Sequence, residues 1–166
     1  MPWRFGRSDR LDLVLLRIRD ARLDECDALS ALCLRSKAHW GYDAAFVAAC
    51  APYLRVEPHL VETGCAFVAE DDTNRILGVC QIDPGGNSGT LDLLFIEPGA
   101  IGSGAGRALF DEAVRRMTAR GEAQMTILSD PDARGFYERM GARFIEDRPS
   151  DVFEGRKLPW LEFEIA

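Results

Sequence analysis

IEPGAIGSGAGRALFDEA, Ile96 to Ala113, sets four glycines in eight positions between an apolar run and a helical pattern. Upstream, TLDLLFIE (90–97) is apolar nearly throughout, as expected of a central strand covered on both faces. Downstream, Leu109, Phe110, Ala113, Val114 and Met117 share one stripe, while Arg107, Asp111 and Arg115 recur four apart on the other side. That spacing predicts an amphipathic helix packed back on the sheet. A strand, a glycine loop and a helix start gather unpaired amides and the positive end of a helix dipole at one point, free of side chains. Such a point is a cradle for an anion. The same glycines would also serve a plain tight turn, where they only permit unusual dihedrals.

Outward from this segment the chain alternates strand and helix signals. LVLLRIRDA (13–21) suits a strand, and Cys26, Leu29, Ala31, Leu32 and Cys33 form the stripe of a helix after it. A second helix is predicted from Asp43, its cap, to about Tyr53. CAFVAEDDTNRILGVCQID reads as two strands joined by a polar turn, and DPGGNSG (83–89) as a further turn. QMTILS is a short strand. DPDARGFYERMG is a compact helix capped by Asp130, opened by Pro131 and closed by Gly141, with Ala133, Phe136, Tyr137 and Met140 inward. ARFIED and LPWLEFEI close the chain as strands, and His59 is read as a loop residue. The expected class is α/β: a mixed, twisted sheet of six or seven strands flanked by about four helices. Residues 13–166 are expected to form one domain behind a flexible N-terminus over 1–12.

At 166 residues and 47% hydrophobic content the chain can bury one core. A net charge of −7 argues against a nucleic-acid or anionic-membrane partner, which needs a concentrated positive field. No apolar stretch is long enough to span a bilayer. The five cysteines are odd in number, lie in apolar patterns and include no C-x-x-C pair, so they read as reduced core residues of a cytoplasmic protein. Two histidines twenty residues apart and scattered cysteines supply no metal ligand set.

Nucleotide motifs fit the glycine loop poorly. A phosphate-binding NTPase loop ends in Gly-Lys-Ser/Thr, whereas Gly106 precedes Arg107 and Ala108, and a dinucleotide fold places its loop after the first strand. FIEPGAIGSGAGRALF together with DPDARGFYERMGA instead resembles the GNAT superfamily of N-acetyltransferases, in that family's order and spacing. The first stretch is similar to the family's R/Q-x-x-G-x-G/A segment, the second to its N-P-x-A-x-x-F-Y-x-x-x-G-F segment. The resemblance spans residues 13–166 and implies acetyl-CoA as co-substrate, without a metal. By it, Gly104 and Gly106, with the amides from Gly102 through Ser103, Ala105 and Arg107 to Ala108, would receive the CoA diphosphate. Leu94, Phe95 and Ile96 would offer their backbone to the pantetheine arm, and Ile101, Asp130, Ala133 and Phe136 would complete the cofactor site. Three positions depart from the pattern: Ile101 stands where Arg or Gln is usual, Asp130 where Asn is usual, and Ala142 where Phe is common.

Acetyl transfer to an amine needs a base, donors for the oxyanion and a proton for the departing thiolate. Tyr137 matches the tyrosine to which the family often assigns the acid role, and a phenol keeps its proton at neutral pH. It also fits the core stripe. Asp92 is the candidate base on an otherwise apolar strand, with Glu97 in reserve. RSKAHWGYD (35–43) sits where family members line the acceptor pocket, so His39, Trp40 and Tyr42 are candidates to receive an amine. The expected reaction is direct acetyl transfer to a primary amine of a small molecule or polypeptide, and a homodimer is an admissible assembly. The alternative is an acyl-CoA-binding sensor with little catalysis, motivated by Ile101 and Asp130.

Overall fold

A computed structural model describes residues 4–7 and 13–165. The strands are β1 (Arg4–Arg7), β2 (Leu13–Asp20), β3 (Ala66–Glu70), β4 (Ile76–Asp83), β5 (Ser88–Ile96), β6 (Gln124–Leu128), β7 (Arg143–Pro149) and β8 (Lys157–Glu164). The helices are α1 (Cys26–His39), α2 (Ala44–Cys50), α3 (Pro58–Glu62), α4 (Ala105–Ala119) and α5 (Arg134–Arg139). All eight strands join one sheet in the order β1-β2-β3-β4-β5-β6-β8-β7. The pairing is antiparallel except between β5 and β6.

The mixed α/β class agrees with the sequence reading. The sheet exceeds the expected six or seven strands because Arg4–Arg7 pair with β2 at one edge. The rest of the stretch expected to be flexible, residues 1–3 and 8–12, lies outside the described residues. His59 falls in the short helix α3 rather than in a loop, with Pro58 supplying the fixed φ of a first helical turn.

Two apolar layers sandwich the sheet. Ala105, Leu109, Ala113 and Met117 of α4 pack with Leu77, Cys80, Ile82 and Leu91 on one face. Leu29, Leu32 and Cys33 of α1 pack with Val68, Val79 and Leu93 on the other. β4 supplies both layers: Val79 and Cys80 point to opposite faces as neighbours in a strand do, and a bulge against β3 at Leu77 turns that side chain to the α4 face with Cys80 and Ile82. The predicted caps hold: Asp43 accepts the Phe46 amide at 2.8 Å, and Asp130 accepts that of Asp132 at 2.9 Å. Gly141, at φ +105°, ends α5.

Two irregularities in β5 shape the functional region. Gln81 pairs with Leu93 and Ile82 with Leu91, so Asp92 is an extra residue in the β5 strand. This bulge reverses the alternation, which is why Leu91 faces the α4 layer while Leu93 faces the α1 layer. The second irregularity is a divergence. β5 and β6 pair only from Ser88↔Gln124 to Leu91↔Ile127, then part, and Leu94 to Ile96 are half-buried rather than covered on both sides.

Candidate active site

The parting of β5 and β6 opens a cleft of about 650 Å³. Glu97 donates its amide to the Leu77 carbonyl of β4, and backbone groups alternate sides along a strand. Leu94 and Ile96 therefore turn their N–H and C=O groups away from β4, into the gap. No β6 residue pairs with them there. These are free strand-edge donors and acceptors for an extended amide-bearing ligand.

The glycine loop forms the end of the cleft beside α4. Gly102 and Gly104 hold φ values of +85° and +90°, a region that favours glycine. Ser103 donates its amide to Ala100 at 3.1 Å, and the first helical bond of α4 runs from Ala108 to Gly104. Among the described residues, the amides of Gly102, Gly104, Gly106 and Arg107 have no backbone partner, and all four residues line the cleft. A side chain at Gly102 would enter open space, while one at Gly106 would come within 3.3 Å of the Phe136 ring. Glycine at 106 leaves the Phe136 ring undisturbed at the cleft wall. Arg107 and Arg139 add two cationic side chains to its lining. Four amides, a helix dipole and two guanidinium groups suit a polyanion such as a diphosphate.

Leu94, Phe95, Ile96, Ile101, Ala133 and Phe136 of the expected cofactor set also line the cleft. Ser103 and Ala105 do not: both are buried, and the Ser103 hydroxyl accepts the Ala105 amide at 3.3 Å, bracing the loop from inside. Asp130 reaches the cleft with its carboxylate already occupied. It accepts Lys37 Nζ at 2.5 Å and the Tyr42 hydroxyl at 3.0 Å, and these bonds hold it below the usual carboxylate range against the burial that would raise it.

Tyr137 and Asp92 line the same cleft from different elements. Tyr137 is buried beside Phe110 and Phe136, with ring centroids 6.2 Å and 5.2 Å away. Burial, with smaller contributions from Cys80 and Asp130, pushes its phenol well above the ordinary tyrosine range, so it keeps its proton at neutral pH. Asp92 opens toward the cleft on the α1 side. Gln81 Nε2 donates to it at 2.6 Å, while Gln81 Oε1 accepts the Glu57 amide at 2.8 Å and so fixes the orientation of the side-chain amide. The surrounding walls raise the Asp92 carboxyl; Asp83 and Glu57 add like-charge repulsion, and the Gln81 bond opposes it. Glu97, the reserve base, is ion-paired with Arg35.

Of the aromatic candidates, only Trp40 reaches the cleft; it is half exposed there beside Ser36 and Lys37. His39 meets the Trp40 ring edge-on at 5.3 Å without lining the cavity. Tyr42 turns to Asp130 and stacks on Phe46 at 4.4 Å. Sequence reasoning missed Lys37, Gln81 and Arg156. Lys37 continues the four-residue rhythm of Leu29 and Cys33, and Gln81 is a lone polar residue on an apolar strand; both are readable anomalies. Arg156 carries no local signal.

Residues 41–165 match the family model of the acetyltransferase (GNAT) domain. The chain belongs to the GNAT acetyltransferase family. Many solved structures share its fold, three of them as follows. The PaiA N-acetyltransferase of Thermoplasma acidophilum, solved in complex with coenzyme A, is 14% identical with a TM-score of 0.74, over 90% of this chain and 98% of that one. YncA of Salmonella typhimurium, a putative acetyltransferase solved with acetyl-CoA, is 15% identical with a TM-score of 0.64, over 91% and 94%. The apo form of YjaB from Escherichia coli is 22% identical with a TM-score of 0.62, over 89% and 95%. A search of the curated proteins found no match. Among the described residues no helix is long and apolar enough to cross a membrane, and no group of three or more His, Cys, Asp or Glu side chains is placed to hold a metal ion.

Proposed function

We propose that the protein transfers the acetyl group of acetyl-CoA to a primary amine by direct attack in a ternary complex. The observation that carries this reading is the set of unpaired amides at Gly102, Gly104, Gly106 and Arg107, continuous with the free β5 edge. Bound acetyl-CoA would supply the acetyl group as an activated thioester. The loop amides, Arg107 and Arg139 hold the diphosphate end, and the backbone of Leu94 and Ile96 aligns the arm. An amide of that edge stabilises the developing oxyanion. Asp92 accepts the amine proton directly or through one water, and the Tyr137 Oη carries the proton for the leaving sulfur. Trp40 offers the acceptor an aromatic face. With a net charge of −7 overall, this favours a cationic amine. Five buried free cysteines support a cytoplasmic setting.

A thiol-release assay with acetyl-CoA and a panel of amines tests the reading. Amine-dependent release is expected. CoA binding without release for any amine would favour the sensor alternative, and absence of both would overturn the proposal.

A further inference from the structure

Asp130 follows β6, and its backbone opens the turn that leads into α5. Oδ2 of its carboxylate takes Lys37 Nζ at 2.5 Å, the Tyr42 hydroxyl at 3.0 Å and Arg156 Nη2 at 3.5 Å; Oδ1 takes the Asp132 amide at 2.9 Å. Arg156 also donates to the Tyr42 oxygen at 2.8 Å. Apart from the Asp132 amide of its own turn, these donors come from the last turn of α1, from the segment joining α1 to α2, and from the loop between β7 and β8. The junction is closed by rings, with Phe46 between Tyr42 at 4.4 Å and Phe153 at 4.5 Å.

Two of the donors bracket Trp40, with Lys37 three residues before it and Tyr42 two after. Between them α1 ends and the chain reverses through Gly41 at φ +87°. One carboxylate thus anchors both sides of the residue that brings an aromatic face to the cleft. An asparagine at 130 would have only one oxygen to meet Lys37, Tyr42, Arg156 and the Asp132 amide, and its NH₂ would confront other donors. The carboxylate matches this chain's donor set.

We infer that Asp130 is a positioning residue of the acceptor side of the cleft: through Lys37 and Tyr42 it fixes Trp40 as the wall against which the amine docks, and it does not hold CoA. This rests on the acetyl-transfer reading above. An ionised carboxylate adds no donor for a diphosphate, and its lone pairs are already engaged.

The test uses the full chain labelled with 5-fluorotryptophan, the Trp40 fluorine resonance being the one lost in Trp40→Phe. In Asp130→Asn that resonance should shift or broaden while the CoA dissociation constant, read by calorimetry, stays within about two-fold. With phenethylamine as acceptor probe, kcat/KM should fall by up to about 10²-fold, the scale on which small misplacements of a binding group act. The Asp130→Asn/Trp40→Ala double variant should be no slower than Trp40→Ala alone, because the two residues act as a unit. Tyr42→Phe keeps the ring stack, removes one donor, and should move the same resonance by less. An unmoved Trp40 resonance in folded Asp130→Asn or Tyr42→Phe, additive kinetic losses, or a CoA affinity weakened about ten-fold or more in Asp130→Asn would overturn the inference. Failure of the acetyl-transfer reading looks different: the wild type then releases no thiol with any amine, whether or not it binds CoA, while the Trp40 resonance still reports whether Asp130 anchors it.

Discussion

Burial lifts the Tyr137 phenol above its ordinary range, so it holds its proton at every pH where an acceptor amine begins to lose its own. Tyr137→Phe preserves the ring packing against Phe110 and Phe136 and removes only the hydroxyl that carries the proton. Turnover should drop by about 10²-fold or more with CoA affinity unchanged, since the lost interaction serves the reaction and not binding. Steady-state kinetics beside calorimetry checks this. Asp92 is raised too, and a base must be ionised to act, so activity is present above its elevated pKa and lost as pH falls through it. The acid limb of kcat should lie above the ordinary carboxylate value of about 3.9 and vanish from the residual rate of Asp92→Asn. A wild-type-like pH profile in that variant would remove Asp92 from the mechanism. Asp92 was a readable candidate because an acid on an apolar strand is unusual. Its setting was not readable, since the bulge arises from how β5 registers against Gln81 and Ile82 of β4, and the hydrogen bond from Gln81 follows from that register.

Elements with strong local signals were legible in the sequence. α4 and the glycine loop follow from apolar periodicity and four glycines, and α2 from the cap at Asp43. α3 was missed because its five residues are too few to show a helical period. The parting of β5 from β6 was not legible either: it depends on where parallel pairing stops, and no residue announces that. The aromatic cluster near α1 was visible, yet its division was not, because Tyr42 is claimed by Asp130 and Arg156 from distant parts of the chain. That junction ties α1, α2, α5 and the β7–β8 loop, and it makes a stability prediction. The Asp130 carboxyl is lowered in the folded protein, so its contribution is present above the unfolded pKa of about 3.9 and is lost as pH falls through the lower folded value. The melting temperature of Asp130→Asn should lie below wild type at neutral pH, and the two should converge under acid. An equal gap at both pH values would contradict the assigned contribution.

At the scale of the whole molecule the sheet separates two layers and opens where β5 and β6 part. Where β5 and β6 separate, the α4 and α5 side contributes the amide cradle, Phe136 and Tyr137, and the α1 side contributes Trp40, Lys37 and Asp92. Two reactants can thus approach from different faces and meet at the free strand edge. The net charge of −7 bears on the acceptor, since a cationic amine is drawn by an acidic surface and salt screens that attraction. At saturating acetyl-CoA, kcat/KM for a cationic amine should fall as ionic strength rises, whereas a neutral-to-rising trend would point to an uncharged or anionic acceptor. The central claim is that the amides at the start of α4 receive acetyl-CoA, and calorimetric titration of acetyl-CoA into wild type, Gly104→Ala and Gly104→Glu tests it most directly. Both substitutions carry the same backbone strain at φ +90°, about 1–2 kcal/mol, but only the glutamate sets a negative charge in the cradle. Wild type should bind, Gly104→Ala should bind more weakly, and folded Gly104→Glu should not bind; equal affinity in all three would contradict the account.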